Sequence, residues 1–226
     1  MRNNSKKLSD IGIRILVPGL CAGVMYGCAG TYYSAMEKMG VHKRDILVDR
    51  VEEARDAQQE GKQQFKSALE QFNKVLGFKG GDIRDKYNKL NDEYEASVDA
   101  AAEVRERIEK VESVSEALFE EWQDKLGQYS DTNLRRSSER QLKATKEKYI
   151  RLVNAMKKAE GKLTPVLNAF RDQVLFLKHN LNARAISSLH SELGKIENDI
   201  AKLVREMERS INEANHFISD MARNED

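Results

Sequence analysis

The chain has 226 residues, two prolines, two cysteines and a formal net charge of +1, with 33% charged and 7% aromatic residues. Two cysteines exclude a disulfide scaffold, and scarce aromatics and proline exclude a turn-rich β-sandwich or barrel. The near-neutral balance offers nucleic acid no global attraction, which leaves a highly charged helical protein long enough to bury a core of its own.

The first 28 residues stand apart. Arg2, Lys6 and Lys7 make a positive start, and residues 15–27 are thirteen uncharged positions leading to Cys28, Ala29 and Gly30. A basic beginning, a short apolar run and small residues at a cut are the three parts of a secretory signal. Thirteen residues of helix span about 20 Å, short of the ~30 Å hydrocarbon core. Pro18 and Gly19 interrupt the run further, so a membrane span is not expected. Val24-Met25-Tyr26-Gly27-Cys28 resembles the lipobox of bacterial lipoproteins, although Met25 and Tyr26 depart from the usual leucine and small residue. That resemblance implies a mature chain beginning at a lipidated Cys28, and Ala29 resembles the outer-membrane sorting pattern rather than the inner. Cys21 is the poorer candidate because Leu20 precedes it. The alternatives are an ordinary cleaved secreted protein and a retained anchor or cytosolic chain. Residues 1–27 hold four bases and one acid, so their removal leaves a net charge of about −2.

From there the pattern is helical. Leu47, Val51, Ala54, Gln58, Gly61, Phe65, Ala68, Phe72 and Val75 alternate spacings of four and three, a heptad seam whose middle is thinned by Gln58 and Gly61. This predicts a first helix over 31–76, with a bend at Gly40, before a glycine-rich reversal and an aspartate cap at Asp82. A second helix over 82–127 carries Leu90, Val98, Ala101, Val104, Ile108, Val111, Leu118 and Trp122, its stripe drifting near Val98 and Val114. A third over 132–180 carries Leu134, Leu142, Tyr149, Leu152, Met156 and Leu163. Thr164 and Pro165 have the look of a fresh N-terminus, but the matching length of 132–180 favours a kink near 161–165. A fourth over 184–222 shows Ile186, Leu189, Leu193, Ile196, Ile200, Leu203, Met207, Ile211, Ala214, Phe217 and Met221. Three short connections make neighbours antiparallel. The expected fold is all-α: one elongated up-down-up-down four-helix bundle of residues 28–226 with coiled-coil-like packing. Two separate hairpins or an intermolecular coiled coil are the alternatives.

Charge is unevenly placed. Residues 82–131 hold 15 acids and 7 bases, while residues 132–162 hold 10 bases and 3 acids. The basic stretch, with Arg135, Arg136, Arg140, Lys143, Lys146 and Arg151 at its head, is a candidate patch for an anionic partner. The plainer account is pairing with the acidic helix beside it. Tyr149 is the stretch's one aromatic, which is poor for base stacking.

No residue pattern points to catalysis. Glu213 and His216 form a single Glu-x-x-His pair where a di-iron bundle needs two, and the seam at Ala214 turns His216 outward. His42, His179 and His190 are isolated. Gly161-Lys162-Leu163-Thr164 has the tail of a phosphate loop, but Met156 replaces its first glycine and no strand precedes it. Trp122, Phe119 and Tyr129 read as core and turn packing.

The runs Tyr32-Tyr33-Ser34-Ala35-Met36-Glu37-Lys38, His42-Lys43-Arg44-Asp45-Ile46-Leu47, Leu134-Arg135-Arg136-Ser137-Ser138-Glu139-Arg140 and Phe170-Arg171-Asp172-Gln173-Val174 resemble a bacterial family known only as a domain of unknown function. The resemblance covers nearly the whole chain after Cys28 and implies a lipoprotein-like N-terminus. Some relatives carry a DNA-repair ATPase label, which the missing phosphate loop here argues against. The reading is therefore a non-enzymatic cell-envelope lipoprotein without cofactor, metal, nucleic acid or small-molecule substrate. It would be held on the periplasmic side by its lipid, as a helical scaffold, spacer or partner-binding module. A membrane-surface lipid-binding or membrane-stress module using the basic third helix is the alternative. A cytosolic coiled-coil factor associated with nucleic acid is the second.

Overall fold

The computed structural model describes residues 42–77, 80 and 82–223. The expected signal segment 1–27, Cys21, Cys28, and the expected helical start from residue 31 with its bend at Gly40 lie outside the described residues. Helix α1 is Lys43–Leu76, α2 is Ile83–Leu126 and α3 is Thr132–His179. The fourth arm is a short α4, Ala183–Leu189, a 3-10 turn, His190–Glu192, and α5, Leu193–Ala222. At 1.5 Å per residue the 48 residues of α3 run about 72 Å.

The ends are written in local chemistry. Asp82 accepts from the Arg84 amide, Asp131 from those of Asn133 and Leu134, and Asn182 from that of Ala185. Each satisfies amides that a helix start leaves unbonded. Gly80 supplies the left-handed turn, with φ at +141°, where a side chain would be strained.

Cross-helix contacts give the topology. Lys43 meets Glu121, Glu53 meets Arg107 and Gln64 meets Glu93, so α1 and α2 run antiparallel. Trp122 with Ser138, Glu112 with Lys157 and Arg105 with Thr164 make α3 antiparallel to α2. Lys148 with Asp220 and Lys158 with Glu206 bring α5 against α3, while Lys62 with Glu208 closes α5 onto α1. The ring α1–α2–α3–α5 is one antiparallel four-helix bundle, and its α2–α3 and α5–α1 contacts exclude two separate hairpins. Phe72 and Phe170 touch edge-on across the diagonal, centroids 6.1 Å apart.

Every residue of the first seam from Leu47 to Val75 is buried, Gln58 and Gly61 included. Elsewhere the expected stripes slip. In α2, Ser97 is buried and returns its hydroxyl to the Glu93 carbonyl, leaving Val98 exposed. In α3, Leu134 is 59% exposed because it lies beyond the last core layer at the bundle's end. In α5, Ser210 takes the buried position and Ile211 is pushed to the rim.

Two places could have broken a helix, and only the second does. Thr164 caps nothing: α3 continues through Pro165, and the Thr164 hydroxyl accepts from Arg105 at 2.8 Å. Gly161 occupies the position whose carbonyl a proline four residues on crowds, and its freedom to adjust suits it to that place. The fourth arm is not one α-helix. The Ser188 hydroxyl bonds the Arg184 carbonyl and the Ser191 hydroxyl bonds the Ser188 carbonyl, so side chains compete for the carbonyls of this turn, which tightens to 3-10.

Candidate functional site

The head of α3 springs from the Asp131 cap beside three other helix ends: the start of α1, the end of α2 and the end of α5. Between the start of α1 and the end of α2 is a cleft of about 320 Å³, lined in part by His42, Leu118, Trp122 and Tyr129. Its charges are already engaged. Lys43 and Lys125 both hold Glu121, and Arg44 donates to the Met221 carbonyl. Trp122 donates its indole N–H to the Ser138 hydroxyl at 2.8 Å, which lets the ring lie partly buried without an orphaned donor. Trp122 and Phe119 are thus packing residues, as the sequence suggests, while Tyr129 is 43% exposed.

Nine of the ten cations of residues 132–162 divide into two groups, and the tenth, Lys162, is exposed beside Pro165. Lys157 lies 2.8 Å from Glu112 of α2, and that hydrogen bond holds its ammonium pKa above the ordinary value. Lys158 reaches Glu206 of α5 at 3.1 Å and Lys148 reaches Asp220 of α5 at 2.9 Å. The Lys148 hydrogen bond, with Arg223 adding to it, holds the Asp220 carboxyl below its usual range. Arg135 bonds Glu139 one turn on, at 3.1 Å. Lys146 stands 5.5 Å over the Phe119 ring, which meets Tyr149 edge-on, a cation–π geometry. The two neighbours of α3 thus share its ion pairs, and α5 takes Lys148 and Lys158.

Of the six patch residues, Arg135 and Lys146 belong to that engaged group. Arg136, Arg140, Lys143 and Arg151 are exposed and have no ion-pair partner among the described residues. They fall on the side of α3 opposite its buried stripe of Leu142, Leu152 and Met156. The carboxylates between Arg136 and Arg151 are Glu139, held by Arg135, and the exposed Glu147. Ile150, between these cations, is 52% exposed. Sequence reasoning found the basic run but could not divide it, because the division depends on which neighbour each helix face meets. Cys28, the expected lipidation site, lies outside the described residues.

His42, His179, His190 and His216 are all exposed. Among the described residues no group of three or more metal-type ligands converges, and no helix is long and apolar enough to cross a membrane. No curated protein and no solved structure matches the chain. The family model described as "Protein of unknown function (DUF2959)" matches residues 32–221, nearly all of the bundle, and the chain belongs to that family.

Proposed function

We propose that this protein is a non-enzymatic, lipid-anchored protein of the cell envelope whose long bundle serves as a scaffold or spacer on the periplasmic side. The observation that carries the reading is Cys28, preceded by Gly27 and an uncharged thirteen-residue run, with helix α1 under way only fifteen residues later at Lys43. A diacylglycerol on that cysteine, with an amide-linked chain, would hold the bundle far more durably than one acyl chain could. A helix ladder tens of ångströms long, with exposed faces that are mainly charged, suits a structural reach better than enclosure of a substrate.

Cys28→Ser is expected to abolish fatty-acid labelling and leave an uncleaved or soluble species, with Cys21→Ser behaving as the parent. Equal labelling and membrane retention in the Cys28→Ser protein would overturn the anchor. The exposed cations of α3 favour a second reading, a module that contacts the membrane surface. Recovery of the labelled chain in a cytosolic, nucleic-acid-bound fraction would instead support a cytosolic factor.

A further inference from the structure

We propose that the outer face of α3 from Arg136 to Arg151 docks on an anionic lipid surface, at the end of the bundle where the chain enters α1. Three observations on different levels converge there. Arg136, Arg140, Lys143 and Arg151 are exposed and lack ion-pair partners among the described residues, whereas Lys148, Lys157 and Lys158 of the same helix are committed to α2 and α5. The stripe occupies about 22 Å of helix, and Glu147 is its one exposed carboxylate left unpaired. A fold that merely balanced the carboxylates of its two neighbours would have used these cations as it used the other three.

Apolar groups accompany the charge. Ile150 is 52% exposed within the stripe, and Tyr129 and Leu134 are 43% and 59% exposed at the adjoining turn. Cations with exposed aliphatic and tyrosine side chains match the boundary between headgroups and acyl chains. A nucleic-acid strand would call for aromatic stacking along the stripe, which is absent.

Position supplies the third observation. The stripe begins at the bundle end that holds residue 42, and fourteen residue-to-residue steps lead there from Cys28. Fully extended they reach about 50 Å, less than the ~72 Å of α3. The choice of a lipid surface rests on the anchored reading above; the charge pattern stands without it.

The test uses the full chain carrying Cys28→Ser, so that no acyl chain takes it to the bilayer. The readout is the ratio of its affinity for phosphatidylglycerol-containing vesicles to that for phosphatidylcholine alone. The N-terminal apolar run contributes to both and cancels, and Arg2, Lys6, Lys7 and Arg14 are replaced by glutamine in every protein compared so that they add no preference of their own. The expected ratio is at least about tenfold and shrinks with added salt, since each basic residue near an anionic surface contributes severalfold. Replacing Arg136, Arg140, Lys143 and Arg151 by glutamine should bring the ratio near one with helicity and melting unchanged. Replacing Lys157 and Lys158 by glutamine should preserve it. A ratio near one in the parent, a ratio that survives the fourfold replacement, or tighter binding to DNA than to anionic vesicles would overturn the proposal. Fatty-acid labelling of the parent chain is scored separately: its loss with the vesicle preference intact removes the anchor alone, and the reverse pattern removes this face alone.

Discussion

Two levels of the same core are built on opposite terms. Around Phe72 and Phe170 the bundle is filled by large apolar groups, with the two rings edge-on and both fully buried. Midway along, Gln58, Gly61 and Ser210 occupy the seam with no exposure for Gln58 or Ser210. The pairs Arg55 with Asn215 and Lys62 with Glu208 bracket this level and place Gln58 opposite Ser210. Neither Gln58 amide atom nor the Ser210 hydroxyl has a hydrogen-bond partner among the described residues. One layer holds the helices together by volume. The other brings backbones close and carries polarity at a cost, as a single polar seam position does when it specifies register in a coiled coil.

The largest effect should come from emptying the aromatic layer. Phe72→Ala is expected to lower stability by about 3–5 kcal/mol, the usual loss for a fully buried phenylalanine, read as a shifted urea midpoint with intact helicity. A loss below about 1 kcal/mol would mean that the diagonal contact contributes little.

The polar layer should respond with the opposite sign. Gln58→Leu replaces two unbonded polar atoms with apolar volume and is expected to stabilise by about 1–3 kcal/mol. If the midpoint falls instead, Gln58 is satisfied in solution and the contrast between the layers fails. Gly61→Ala is a gentler probe. The added methyl would meet Val104 at 3.4 Å and Met207 at 3.5 Å, ordinary contact distances. Lower backbone entropy in the unfolded chain should then add about 0.5–1 kcal/mol.

Surface charge should matter least for stability, and unevenly. Lys157→Ala removes the Glu112 pair and should cost about 0.2–1 kcal/mol, less in high salt. Lys143→Glu with Arg151→Glu breaks no ion pair among the described residues and should stay within about 0.5 kcal/mol. Equal losses for the two would erase the division between engaged and unengaged cations.

Acid should test the rim through direction of shift. Burial would push the Glu53 carboxyl upward, but Arg50 and Arg107 outweigh it and hold its pKa below the ordinary value. Lys148 does the same at Asp220, with Arg223 adding to it. Groups depressed on folding contribute stability that is complete above their unfolded pKa, near 4, and is lost as pH falls through the lower folded value. Melting temperature should therefore decline below about pH 4, less steeply in Glu53→Gln than in the parent.

The first seam was legible residue by residue, because nine buried positions follow strict four-three spacing, and even the thin middle at Gln58 and Gly61 could be seen in it. Legibility failed where two neighbouring residues compete for one seam position. Hydrophobicity alone favours Val98 over Ser97 and Ile211 over Ser210, yet helix phase decides, and phase accumulates over turns that a short window does not see. The Ser188 and Ser191 back-bonds were hidden because they depend on side-chain geometry, not pattern. In the candidate site, the basic run was plain but its partition was not. Lys148 and Lys158 turn to α5, a helix some sixty residues further on, and sequence proximity to the acidic α2 pointed elsewhere.

Pro165 has a mechanical consequence. It brings no amide hydrogen to α3, so the Gly161 carbonyl on the exposed outer side lacks its rung in the helical ladder. A rod loaded along its axis or bent by a load at one tip gives first where its cross-section is weakest. That place lies about two-thirds of the way along α3, past the cationic stripe, so strain applied at the far tip would be relieved there before it reached the basic end.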